Sequence, residues 1–152
     1  MRRGPRPRRS RPSRVAGIAG EASVPRRVIM TTRSCPCGLP AAYEECCGRY
    51  HAGAAAPTAE LLMRSRYSAF VRRDAGHLLR TWHPRTRPER IGFDPGMRWT
   101  GLEILGTTDG SAFHSTGTVT FRAFYRGGSL HERSRFERVD GAWVYVDGDV
   151  LS

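Results

Sequence analysis

Lysine is missing altogether, so all 25 fixed cationic side chains are arginine. Such uniform use fits a G+C-rich coding bias better than selection for phosphate forks, although guanidinium suits them chemically. No apolar run approaches the roughly 20 residues that span a bilayer. That absence excludes a helical membrane span and reads as a soluble, cytoplasmic chain with no membrane partner. Arg2 and Arg3 superficially resemble a twin-arginine signal, but the apolar stretch that such a signal or a secretory one requires does not follow. Acid is scarce at the start: residues 1–29 hold nine Arg against Glu21 alone. Pro5, Pro7, Pro12 and Pro25 interrupt any helix there, and like charges repel, so disorder is expected. Met30, at the compositional break, is an alternative start; otherwise the segment is a nucleic-acid-binding tail or an inert extension. It carries +8 of the chain's net +11, which leaves residues 30–152 at only +3. Also lacking are internal repeats, a phosphate loop, a nucleophile–base pair and a catalytic metal signature.

Cysteine is scarce and confined. All four lie between 35 and 47, in the pattern C-P-C-x8-C-C. Adjacent Cys46 and Cys47 cannot easily form a relaxed disulfide, and neither pair has the C-x-x-C spacing of a redox couple. Without a secretion signal, disulfides are the poorer explanation. Two close pairs can instead meet at one point and offer four thiolates in a tetrahedron, the donor set of structural zinc. Pro36 and Gly38 favour a tight turn around the first pair. Cys35, Cys37, Cys46 and Cys47 are therefore the expected metal ligands, with His51 as an alternative to Cys47. No position stays open, so the zinc is expected to be structural. Reduced, unliganded thiols are the bland alternative.

Beyond the cysteines the chain orders itself as helices and then strands. Thr58 can cap a helix running to about Arg73, with Glu60 in its first turn. Met63, Tyr67 and Phe70 repeat at helical spacing and mark its buried stripe. Asp74 can cap a second short helix carrying Leu78, Leu79 and Trp82, stopped by Pro84. Residues 85–96 read as a loop. Strands are expected over 98–107, 116–126, 130–139 and 142–147, with turns at Asp109-Gly110, Gly127-Gly128 and Asp140-Gly141. Val119, Phe121, Ala123 and Tyr125 alternate against Thr118, Thr120 and Arg122. Helices followed by an antiparallel meander define an α+β domain over 54–152, behind a knuckle at 30–53.

CPCGLPAAYEECCG resembles the SEC-C motif, the zinc knuckle at the C-terminus of the SecA translocation ATPase and in many other proteins. The cysteines, Gly38, Tyr43 and Gly48 match; Leu39-Pro40-Ala41 replaces the usual Ser-Gly-Lys and with it any partner contact those residues make. CCGRYHAGAAAPTAELLMRSRYSAF, TWHPRTRP, WTGLEI, HERSRF and YVDGD extend the likeness over residues 35–149 to the YchJ-like family of uncharacterised bacterial proteins. That resemblance implies a nuclear-transport-factor-two-like fold, a cystatin-like cone in which helices pack on a strongly curved antiparallel sheet around a cavity. It implies no activity.

Polar residues that such a cone would gather are Arg66, Tyr67, Trp82, His83, Glu132 and Arg133, as a site for a small ligand. Arg64, Arg135, Asp147 and Asp149 invite the same reading. The structural alternatives are plain. Tyr67 and Trp82 sit on helix stripes, H-E-R-S-R-F-E-R suits a solvated strand with cross-strand ion pairs, and Asp147-Gly148-Asp149 suits a turn. The expected function is a zinc-containing binding or adaptor protein, its knuckle docking a macromolecular partner and its cone taking a small ligand. An enzyme with its site in the cone, or a nucleic-acid or ribosome-associated factor, is the alternative.

Overall fold

The structure, a computed structural model, describes residues 34–152. The expectations for residues 1–29 and for a start at Met30 lie outside the described residues. A single turn at Tyr43–Glu45 leads into helix α1 (Cys47–His51), followed by α2 (Ala59–Arg72) and α3 (Ala75–Arg80). Four strands follow: β1 (Trp99–Asp109), β2 (Thr116–Tyr125), β3 (Gly128–Val139) and β4 (Ala142–Val150). They pair antiparallel in chain order, β1-β2-β3-β4. The α+β architecture is the expected one. No helix among the described residues is long and apolar enough to cross a membrane.

Local chemistry sets the boundaries. The Thr58 side chain accepts the Leu61 N–H at 3.1 Å and caps α2, while Asp74 accepts the His77 N–H at 3.0 Å and caps α3. Helix α3 stops at Arg80, short of Trp82. The chain there turns extended and joins β4, with His83 N–H on Tyr145 O and Tyr145 N–H on Thr81 O, both at 2.7 Å. The Asp140-Gly141 turn has positive φ at both residues (52° and 84°) between paired Val139 and Ala142. That is the primed geometry matching the twist of the flanking strands. The β2–β3 turn falls one residue earlier than expected, on Arg126-Gly127.

Bulges give the sheet its curvature. The β1–β2 register slips between Trp99 and Gly101 and again between Ile104 and Gly106, and β3–β4 slips beside Phe136. An extra residue bends a strand and raises its twist. It also breaks the alternation, so Leu105 beside the second bulge is 45% exposed. The inner face carries Val119, Phe121, Ala123, Phe136 and Trp143 against Leu62, Met63 and Tyr67 of α2. The four cysteines belong to the same core, so knuckle and cone share one interior.

Candidate functional site

Helix α2 stands between two sites and serves both. One face turns to the knuckle: Ser68 Oγ lies 3.6 Å from Cys35 Sγ, and Arg64 Nη1 donates to Cys37 O at 2.8 Å. The opposite face, with Met63, Arg66, Tyr67 and Phe70, lines the cone. Burial on both faces explains why Ser65, Arg66 and Ser68 are as inaccessible as the apolar residues.

The four sulfur ligand atoms lie within 4.8 Å of one another, and no pair is bonded as a disulfide. Cys37 Sγ and Cys46 Sγ are 3.7 Å apart. Metal–sulfur bonds of about 2.3 Å in a tetrahedron set sulfur–sulfur edges of about 3.8 Å. The donor set therefore fits a four-thiolate metal centre. Gly38, at φ 96°, makes the turn that brings Cys35 and Cys37 together, closed by the Cys35 N–H to Ala41 O bond at 2.8 Å. A hydrogen bond from Cys47 holds Cys37 down to about 5. The same bond, with burial, pushes Cys47 well above the usual thiol range, and burial pushes Cys46 up to about 11. Crowding lets one thiol ionise at the expense of its neighbours, and metal binding to such a cluster releases thiol protons.

His51 is committed elsewhere. Its Nε2–H donates to Ser65 O at 2.8 Å, which leaves Nδ1 to accept the Tyr43 hydroxyl at 2.6 Å. With both nitrogens engaged, it offers no lone pair, and Cys47 completes the cluster. Gly48 is fixed by the same packing, since a Cβ there would lie 2.7 Å from Tyr43 O. The motif residues Tyr43 and Gly48 thus lock the second cysteine pair against α2.

The cone encloses a cavity of about 220 Å³ whose lining comes from α2, the Trp82 segment and all four strands. Arg66, Tyr67, Trp82 and Glu132 line it as the sequence suggests. His83 and Arg133 do not. Both stand next to an inward-facing residue on extended backbone, where successive side chains face opposite ways. His83 Nδ1 accepts the Arg85 N–H at 2.9 Å, and its Nε2 faces Glu137 at 3.3 Å. Arg133 lies on the outer face, 3.7 Å from Asp149. Arg135 joins it there, bonded to Asp147 at 2.6 Å and to Asp149 at 2.7 Å. Asp147-Gly148-Asp149 is strand, not turn. The Glu132 carboxylate occupies the space a Cβ at Gly148 would take, so a side chain there would displace it.

Sequence reasoning missed Tyr145, Ser134 and Trp99. Only the register, which sets Ser134 across from Gly148 and Tyr145 across from Phe136, reveals the first two. Glu132 Oε2 accepts Ser134 Oγ at 2.7 Å and the Tyr145 hydroxyl at 3.4 Å. Burial pushes the Tyr145 and Tyr67 hydroxyls up to about 12, so both remain protonated donors. A wider groove of about 600 Å³ borders Phe70 and residues 92–98. It draws on one helix end, one loop and the first residue of β1, whereas the cone gathers polar groups from distant elements.

A four-cysteine knuckle ahead of helices on a curved antiparallel sheet defines a SEC-C motif protein with an NTF2-like cone. Residues 58–148 match the family described as YchJ, middle NTF2-like domain. A UPF0225 protein of Streptomyces coelicolor is 77% identical over 123 residues, covering 80% of this chain and 99% of that protein. Another, from Corynebacterium glutamicum, is 52% identical over 122 residues, covering 78% and 98%. The solution structure of a SEC-C motif containing protein from Rhodopseudomonas palustris matches with TM-score 0.67 at 32% identity, covering 79% of this chain and 100% of that one. A crystal structure of a SEC-C motif containing protein from Psychrobacter arcticus matches with TM-score 0.63 at 28% identity, covering 79% and 84%. The chain belongs to the YchJ-like UPF0225 family.

Proposed function

We propose that the chain is a zinc-braced binding protein in which the cone holds a small molecule and the knuckle sets the helix that reads it. The carrying observation is the position of α2, with Ser68 and Arg64 on the cysteine cluster and Arg66 and Tyr67 in the cavity. Four soft thiolates gathered within 4.8 Å of one another favour zinc, and with every position filled by sulfur the ion is structural. Reduced thiols suit a reducing compartment such as the cytoplasm. The outer edge of the knuckle, with Pro40, Glu44 and Glu45 exposed, is the surface on which a protein partner would dock. Among the described residues, 15 Arg face 13 acids, and Arg133 and Arg135 are paired with Asp147 and Asp149. That balance supports a small ligand over nucleic acid.

Native mass spectrometry of protein purified gently from its own host tests this. The expected mass is the chain plus one zinc plus a small molecule released on denaturation. A chain carrying zinc alone would move the function from the cone to the knuckle surface.

A further inference from the structure

Arg66 is 3% exposed. Its Nη1 donates to Leu78 O at 2.8 Å and to Thr81 Oγ1 at 2.7 Å, which ties one edge of the guanidinium to the end of α3. Nε and Nη2 have no hydrogen-bond partner among the described residues, nor does any carboxylate there come within ion-pair reach of Arg66. The plane is nevertheless fixed, because its carbon lies 4.9 Å from the Trp82 ring centroid and 4.7 Å from that of Tyr145. Buried cations are ordinarily paired. Here a rigid, largely buried guanidinium lines a cavity with one donor edge open to it. The buried Trp82 indole N–H beside it also lacks an acceptor.

We propose that the cone binds a small carboxylate with an apolar body, its two oxygens on the Nε–Nη2 edge of Arg66. This deepens the reading of the cone as a ligand site and rests on it. A carboxylate meets that edge with two parallel charge-assisted bonds, and the aromatic clamp removes the cost of orienting it. Met63, Phe70, Phe121 and Leu130 supply the surface for the apolar body. The volume of about 220 Å³ falls below the roughly 300–1,000 Å³ typical of pockets for drug-sized molecules, so the occupant is of small-metabolite size. Glu132 attracts Arg66 across the cavity without forming an ion pair with it. It is held by Ser134 and Tyr145, outside ion-pair distance, and it selects for carboxylates that also carry a hydroxyl or amine donor. Burial draws the Arg66 guanidinium down to about 9, so it stays charged at neutral pH.

Calorimetry on the zinc-loaded full chain at neutral pH tests this with benzoate, phenylacetate, 3-phenylpropionate and 3-phenyllactate, each beside the alcohol that lacks the carboxylate. At least one acid is expected to saturate a single site at least tenfold more tightly than its alcohol, a difference of about 1.4 kcal/mol. Arg66→Lys keeps the charge but loses the fork, and is expected to shrink the advantage of the acid over its alcohol several-fold. Should that variant fail to fold, the wild-type Arg66 Nε–H resonance serves: it moves with the acid and stays with the alcohol. Equal affinity of acid and alcohol, or an Nε–H signal indifferent to the acid, overturns the carboxylate assignment and leaves the cone a ligand site. Binding of neither series overturns both.

Discussion

His77 provides a sharp test of how the knuckle, α2 and α3 pack. It is 2% exposed. Ser65 Oγ donates its proton to Leu62 O at 2.7 Å, so His77 Nε2 must be the donor in its 2.9 Å contact with that hydroxyl. Its Nδ1 then faces the Arg80 guanidinium at 3.4 Å, and its ring packs 4.5 Å from that of His51. A second proton would meet burial first, then His51, Arg80 and Arg66, with Asp74 as the only opposing charge, and the pKa falls from 6.5 to about 3. A folded-state value below the unfolded one means that the unfolded chain binds the proton more readily. The contribution is complete above pH 6.5 and is lost as pH falls toward 3. The slope is about 1.4 kcal/mol per pH unit, so lowering the pH from 6.5 to 5 costs about 2 kcal/mol. His77→Gln keeps a donor to Ser65 and removes the titration. Urea unfolding of both proteins at several pH values reads the difference, which cancels carboxylates and thiols common to both. With a urea dependence of about 2 kcal/mol per M, the wild-type midpoint should fall by about 1 M more than that of the variant between pH 6.5 and 5. Parallel curves for the two proteins would refute the buried neutral imidazole.

Gly48→Ala should destabilise by about 1–3 kcal/mol, as overpacking does, because its Cβ would sit 2.7 Å from Tyr43 O; thermal unfolding checks it. Leu78→Ala, at a fully buried position, should lose about 2–5 kcal/mol in urea denaturation. Thr58→Ala removes the α2 cap and should cost about 0.5–2 kcal/mol by the same assay. Arg135→Ala, by contrast, breaks exposed pairs with Asp147 and Asp149 and should leave the denaturation midpoint unchanged within error, since exposed pairs contribute little.

The parts legible in the sequence were those carried by local chemistry. Cysteine spacing, the Thr58 and Asp74 caps, the Asp140-Gly141 turn and the period-two run of β2 each act within a few residues. What escaped depends on pairing across the sheet. The bulges of β1 turn Leu105 outward, and Gly148 reads as a turn residue until Glu132 is seen to occupy its side-chain space. The cavity was half legible. Arg66, Tyr67, Trp82 and Glu132 fall inside it, while the alternation of extended backbone turns His83 and Arg133 outward beside inward-facing neighbours. Tyr145 and Ser134 carried no sequence signal of their own, because each owes its place to its cross-strand partner.

The proposed four-sulfur zinc centre braces α2 from behind the cone. Zinc-edge X-ray absorption on protein purified without added metal tests it most directly. One zinc per chain with four sulfur neighbours at about 2.3 Å is expected, reduced in Cys46→Ser to three sulfurs or lost. A folded, zinc-free chain with four freely titratable thiols, or a zinc shell containing nitrogen from His51, would contradict it.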